Sequence, residues 1–360
     1  MPDLNAISRD VLEGLMLDIE EEKCVLLIGP EVIQSGGRSQ ARFVHEQAME
    51  LEAGHIDYYY PNDSLFLFKD DADKNRVARR VKRLYRSMEP PLEVYQKILE
   101  LPIPLVVCLN PDTFLADAAQ QFGLAYDFSH FRFTGEATKD VEAPTAGRPL
   151  FYNLCGCRTE EESLVLDYED LFRLLRAVLP DGLPNKVRMK LREASSFLFL
   201  GFDFEKWYTQ LLLQLLTGDR KGRPKFAFRS NMHDGNAKDF LIHQFQIQFL
   251  GDGQHFFDSL HQLLAGEGLL RQLSPLGASR AASLPPIRQR VAEGAVDEAL
   301  AMAGALPMSG GQRDKLVLLQ NRFNNWKRDQ QAGVFLPGQA EPILNGITRD
   351  FLGFLNGELA

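Results

Sequence analysis

Two regimes of hydrophobic patterning divide the chain. Through roughly the first three quarters, short continuous apolar runs alternate with stretches whose apolar residues recur every three or four positions. The runs are Cys24–Ile28, Leu105–Leu109, Pro149–Tyr152, Leu164–Leu166, Ser196–Leu200 and Lys225–Phe228. Runs of this length without polar alternation read as strands buried on both faces, the signature of a parallel sheet. The periodic stretches predict helices over Ser8–Glu21, with Ser8 as N-cap, and over Thr113–Phe122, Glu169–Leu179 and Trp207–Leu216. Strand–helix alternation predicts an α/β fold: a Rossmann-like three-layer domain with a mainly parallel sheet. Ligands bind such sheets at the carboxyl ends of strands, so the turns after residues 28, 109, 152 and 200 are expected to converge.

The second regime begins after 273–286, a stretch rich in Ser, Pro, Gly and Ala that reads as a linker. Beyond it only helical spacing remains, over Ile287–Ala303, Gln312–Gln331 and Gln339–Glu358. The expected organisation is an α/β domain over 1–272, the linker 273–286, and a small all-α domain over 287–360. A bundle of that size has marginal stability alone and gains from packing on a partner.

Composition narrows the picture without changing it. A formal net charge of -9 over 360 residues argues against bulk nucleic-acid binding. One basic stretch, Lys74–Arg86, reads as a helix with Arg76, Arg79, Arg80 and Arg83 on one face and Val77, Val81 and Leu84 on the other. It is either a surface for phosphate or an acidic partner, or a solvated face. The four cysteines (Cys24, Cys108, Cys155, Cys157) sit in or beside apolar runs and contain no CxxC pair, which suits reduced thiols and predicts neither a disulfide framework nor a zinc ribbon. His243, His255 and His261 lack ligand-spaced partners, so no metal site is expected. With no apolar run long enough to span a bilayer and no basic-then-apolar start, a cytoplasmic location is the expectation.

The chemistry concentrates in the turns. Gly29-Pro30-Glu31 follows the first strand, and Ser35-Gly36-Gly37-Arg38 lies just beyond it. Asn110-Pro111-Asp112 ends the second strand, Cys155-Gly156 follows the third, and Gly201-Phe202-Asp203 follows the strongest strand, with Trp207 close behind. In this order the turns resemble those of sirtuin-like NAD-handling proteins, especially the bacterial branch of immune and conflict systems, over roughly residues 5–270. The family pattern is Gly-Ala-Gly, Asn-x-Asp, His-Gly and Gly-[Phe/Tyr]-[Ser/Asp]. The resemblance implies NAD as substrate or ligand, hydrolysis of its glycosidic bond, a catalytic set of Asn110, Asp112 and Cys155, and cofactor contacts from Gly29, Ser35, Gly36, Arg38, Gly201 and Asp203.

Two of the four turns depart from that pattern. Cys155 stands where the family has its histidine base, and an ordinary thiol is mostly protonated at neutral pH. Pro30 removes a backbone donor from the first turn and Glu31 adds a carboxylate where a diphosphate would lie. In that case Arg38 and Ser35 are the expected phosphate contacts, and His130 is the candidate for a displaced base. Asn110 reads equally as a ribose ligand and as a turn residue before Pro111.

The last helices resemble the effector-associated domains of bacterial conflict proteins, on Val291–Leu300 and Leu319–Asp329. The resemblance implies recruitment of a protein partner, with Phe323, Trp326 and Arg328 either as contacts or, for the two aromatics, as bundle core; self-association is left open. Two functions follow from the sequence: an NAD glycohydrolase activated by assembly, or an inactive nucleotide-sensing or structural adaptor that recruits through its C-terminal helices.

Overall fold

The computed structural model describes residues 9–35, 38–89, 91–133, 141–178, 182–218, 222–228, 235–250, 253–273, 276–306, 310–336 and 338–357. The chain divides into two compact units, Met1–Ala119 with Ala125–Gln272, and Gln120–Leu124 with Leu273–Ala360.

The first unit is built on a seven-stranded sheet. Its strands in chain order are β1 (Cys24–Ile28), β2 (Leu105–Cys108), β3 (Asp127–His130), β4 (Leu150–Asn153), β5 (Ser196–Leu200), β6 (Lys225–Phe228) and β7 (Ile247–Leu250). They lie in the order β7-β6-β5-β1-β2-β4-β3, and every pairing is parallel. The Rossmann-like α/β expectation holds. β1, β2, β4 and β5 are buried along their whole length because helices cover both faces. On one face Val25, Leu27, Val107, Tyr152, Phe197 and Phe199 join a core completed by Leu171, Leu174, Val187, Leu191, Leu212 and Leu216 from three helices. On the other, helix α1 (Arg9–Glu20) packs on β1 and on the helix Gly253–Gly266, which also meets β6.

Four expectations change. The edge strands β3 and β7 carry polar residues (Asp127-Phe-Ser-His130 and Ile247-Gln-Phe-Leu250), so neither shows as an apolar run. Leu164–Leu166 is no strand of the sheet: the Leu166 N–H is taken by the Asp170 carboxylate at 3.1 Å, and its carbonyl accepts from Phe66 N–H at 2.8 Å. The stretch read as a linker is helical from Leu276, in a helix that runs to Ala292 with Pro285 and Pro286 inside it. Its Ala-rich first turns favour helix, which offsets the backbone donors the prolines lack. Finally, the helix expected over Ile287–Ala303 is two, Leu276–Ala292 and Val296–Gly304, parted where Gly294 adopts φ 79°. The N-cap expected at Ser8 lies outside the described residues.

The second unit holds these two helices with Gly310–Gln331 and Ala340–Gly357. Its core gathers Ile287, Leu300, Leu316, Phe323, Ile347, Phe351 and Leu355. Phe323 is therefore core. Trp326 is partly buried beside it and donates its indole N–H to the Ala340 carbonyl at 2.9 Å, while Arg328 stays largely exposed.

Candidate functional site

Strand order reverses between β1 and β5, so their carboxyl ends form the crevice where ligands bind in open α/β sheets. The register brings Leu200, Ile28, Cys108 and Asn153 level, and the turns beyond them converge as expected. At the crevice itself, however, two turns press together. Gly29 N–H donates to the Leu200 carbonyl at 2.8 Å, Glu31 N–H to the Gly201 carbonyl at 2.8 Å, and Val32 N–H back to Gly29 at 3.4 Å. Pro30 has no donor. All the backbone donors of the first turn through Val32 are thus used inside the fold.

The glycines are explained by this contact. A Cβ on Gly29 would lie 2.3 Å from the Gly201 carbonyl oxygen, and one on Gly201, at φ +64°, would lie 2.0 Å from Val32 N. Both glycines let one backbone lie against another, the place a pyrophosphate takes where such a turn stays open. Beyond the turn, Gln34–Ser35 and Arg38–Ser39 pair as a small antiparallel hairpin. The side chains of Ser35 and Arg38, and all of Gly36, lie outside the described residues.

Beside the turns lies a cavity of about 150 Å³, lined by Glu31, His45, Asn110, Cys155, Asp203 and Lys206 among apolar residues including Leu65, Leu109, Leu164 and Leu171. Pockets that enclose drug-sized ligands run to roughly 300–1,000 Å³. This one is the size that holds a single ring. Of the residues singled out in sequence, Glu31, Asn110, Cys155 and Asp203 meet here. Asp112 sits one step behind: it is buried, accepts from Phe114 N–H at 3.0 Å and so caps the helix Phe114–Gln121, while its carbonyl accepts from Asn153 Nδ2 at 2.6 Å. Burial pushes its carboxyl up to about 6, against the lowering pull of the Phe114 amide and Arg158. Asp203 accepts from Glu205 N–H at 3.1 Å.

Cys155 packs against the apolar core, and burial pushes its thiol up to about 12, with Lys206 only partly opposing. It is neither a base nor a thiolate at neutral pH. His130, the candidate displaced base, does not line the cavity: its Nε2 lies 2.8 Å from the Glu160 carboxylate, which also takes Arg132 at 2.7 Å. Burial lowers its pKa more than Glu160 raises it. Among the described residues no three His, Cys, Asp or Glu side chains form a group that could hold a metal.

Several cavity residues were missed in sequence, Arg42, His45 and Lys206 among them. His45, on helix α2 (Gln40–Leu51), lies edge-on to Tyr59 at 6.0 Å and tilted against Phe66 at 5.1 Å. Its Nδ1 is shielded from solvent and has no partner among the described residues, and burial drives its pKa down to about 3, so the ring is neutral. Lys206 is buried, donates to Ser64 Oγ at 2.8 Å and lies 3.9 Å from Asp203; burial lowers its pKa. A lone histidine within Phe43-Val-His45-Glu carries no sequence signal. Lys206 stood three residues past Asp203 and could have been found as its i,i+3 partner.

The fold and its switch-point crevice define the class, and comparison with known families specifies it. Residues 104–249 match the family model of a SIR2-like domain, and residues 286–357 match that of Effector-associated domain 11. The chain thus carries a SIR2-like domain followed by an effector-associated domain. The first match takes in Asn110, Asp112, Cys155, Gly201 and Asp203, and begins after the Gly29 turn and His45. No curated protein matches the chain.

Proposed function

We propose that this chain is a sirtuin-like component of a conflict system whose α/β unit does not turn over NAD and whose C-terminal helices recruit a protein partner. The pairing of a SIR2-like domain with an effector-associated domain supports the setting. The observation that carries the loss of activity is the spent first turn: Gly29, Glu31 and Val32 donate within the fold and Pro30 cannot donate. No backbone cradle is left there for a diphosphate, and Glu31 lines the cavity beside it. The residues present therefore do not fit NAD at this turn. The protonated Cys155 thiol removes the base the chemistry would need. What stays is a ring-sized cavity with Asn110 and a neutral His45 in its wall, consistent with a structural or small-ligand-sensing unit.

Calorimetry with NAD on the full chain, together with an assay for free nicotinamide with and without the recruited partner, tests this reading. No binding heat and no nicotinamide are expected. Nicotinamide release that disappears in Asn110→Ala would overturn the proposal in favour of the hydrolase.

A further inference from the structure

Helix α3 (Asp71–Arg86) sorts its cations into two groups. Lys74 is held by Asp167 and Asp170, Lys82 by Glu161, and Arg76 and Arg80 both reach the buried Glu52, at 2.8 and 2.7 Å. Arg79, Arg83 and Arg86 are exposed, and among the described residues no carboxylate pairs with them. Arg76 stays 56% exposed despite its Glu52 contact. Arg76, Arg79, Arg83 and Arg86 follow spacings of three, four and three, one stripe about 15 Å long. The one exposed acid of the helix, Asp71, lies in its first turn, about 100° around the axis from the middle of the stripe.

Helix α1 presents the opposite stripe with the same spacing. Asp10, Glu13, Leu17 and Glu20 are also separated by three, four and three residues; Asp10 and Glu20 are exposed, and Leu17 is 53% exposed between them. Asp10 and Leu17 of this stripe also line a groove of about 1010 Å³, with Asp18 and Glu21 adding acids and Arg192, Glu193 and Arg223 on its other side. Arg223 is committed to the Leu191 and Arg192 carbonyls, and Glu193 offsets Arg192. That volume holds about two turns of helix with its side chains.

We propose that the α3 arginine stripe docks on the α1 acidic stripe of a second copy of this chain. The three-four-three spacing is the same read in either direction, so in either sense the end arginines Arg76 and Arg86 meet Asp10 and Glu20, and a central arginine lays its aliphatic stem on Leu17. The formal net charge of -9 disfavours nucleic acid as the occupant and favours an acid-rich protein surface, which the chain itself supplies. The two faces are different surfaces, so the contact is head-to-tail and grows into rings or filaments. The inference stands independently of whether the cavity binds NAD.

Sedimentation velocity of the full chain at ~50 and ~500 mM NaCl tests it. Self-association is expected at the lower salt, weakened about tenfold or more at the higher. The triple variant R79E/R83E/R86E and the double variant D10K/E20K should each stay monomeric, with the fold retained by circular dichroism and melting lowered only slightly by the charges reversed at helix ends. Mixing the two should restore a heteromer. A wild-type monomer at both salts, association that survives either set of substitutions, or failure of the mixture to assemble overturns the proposal. So does binding of a ~20-base-pair duplex that R79E/R83E/R86E abolishes in the absence of self-association, since the stripe would then be a nucleic-acid surface.

Discussion

Asp112 carries a cost that a turn residue in water would not. Its carboxyl is raised from the usual carboxylate range to about 6 by burial, so the protonated form is favoured in the folded state. A group raised on folding contributes stability fully present below its unfolded value of about 3.8, and that contribution is lost as pH rises through 6. The change is at most about 3 kcal/mol across that window. Asp112→Asn keeps an acceptor for Phe114 N–H and has no charge to bury. Urea melts from pH 4 to pH 7 should show the variant losing less stability than wild type as pH rises, and being at least as stable at neutral pH. His45 acts in the opposite sense. Its pKa falls to about 3 on folding, so stability is lost as pH drops from about 6.5 toward 3, and His45→Asn should flatten that acid limb. Residue-scale chemistry was only partly legible in the sequence. Asn110, Cys155 and Asp203 announced themselves by their place after apolar runs, whereas His45 reaches the cavity from a helix that starts after the hairpin, where neither spacing nor composition points inward.

At the scale of elements, the contact between the turns after β1 and β5 controls the site. Gly201→Ala places a Cβ 2.0 Å from Val32 N at φ +64°, while Gly268→Ala, in the left-handed cap that ends the helix Gly253–Gly266, has a φ of +69° and open space around it. Gly268→Ala incurs the left-handed penalty of roughly 1 kcal/mol. Gly201→Ala adds backbone overlap to a positive φ, so its denaturation midpoint should fall well below that of Gly268→Ala, by a further ~2 kcal/mol or more. The four- and five-residue strands buried on both faces were readable from unbroken apolar runs, whereas Leu164 and Leu166 are buried in a three-residue run that is no strand. The edge strands β3 and β7 were not, because an edge faces water and tolerates Asp127, Ser129 and Gln248. Helix ends were blurred for a related reason: Gly294 interrupts apolar spacing that continues in phase on either side of it.

At the scale of the molecule, two units of different character share one chain. The helical unit rests on a small core in which Phe351 and Leu355 are fully buried, and a bundle of that size has little stability in reserve. Phe351→Ala removes about 3–5 kcal/mol of packing. Hydrogen exchange should then show loss of protection across Gly310–Gln331 and Ala340–Gly357 while β1, β2 and β5 stay protected. The two-regime patterning of the sequence foreshadowed this difference, because continuous apolar runs and helical spacing bury different shapes of surface.

The closed turn pair also bears on the history open to this protein. On the proposed reading, placing a histidine at position 155 takes a single substitution, and so does removing the Glu31 carboxylate. Reopening the crevice takes a rerouted backbone, because the carbonyls of Leu200 and Gly201 already occupy the donors. On the proposed reading, closure of this turn pair therefore behaves as a ratchet: side chains can change one at a time without opening a seat for a cofactor, and selection on such intermediates sees only their stability.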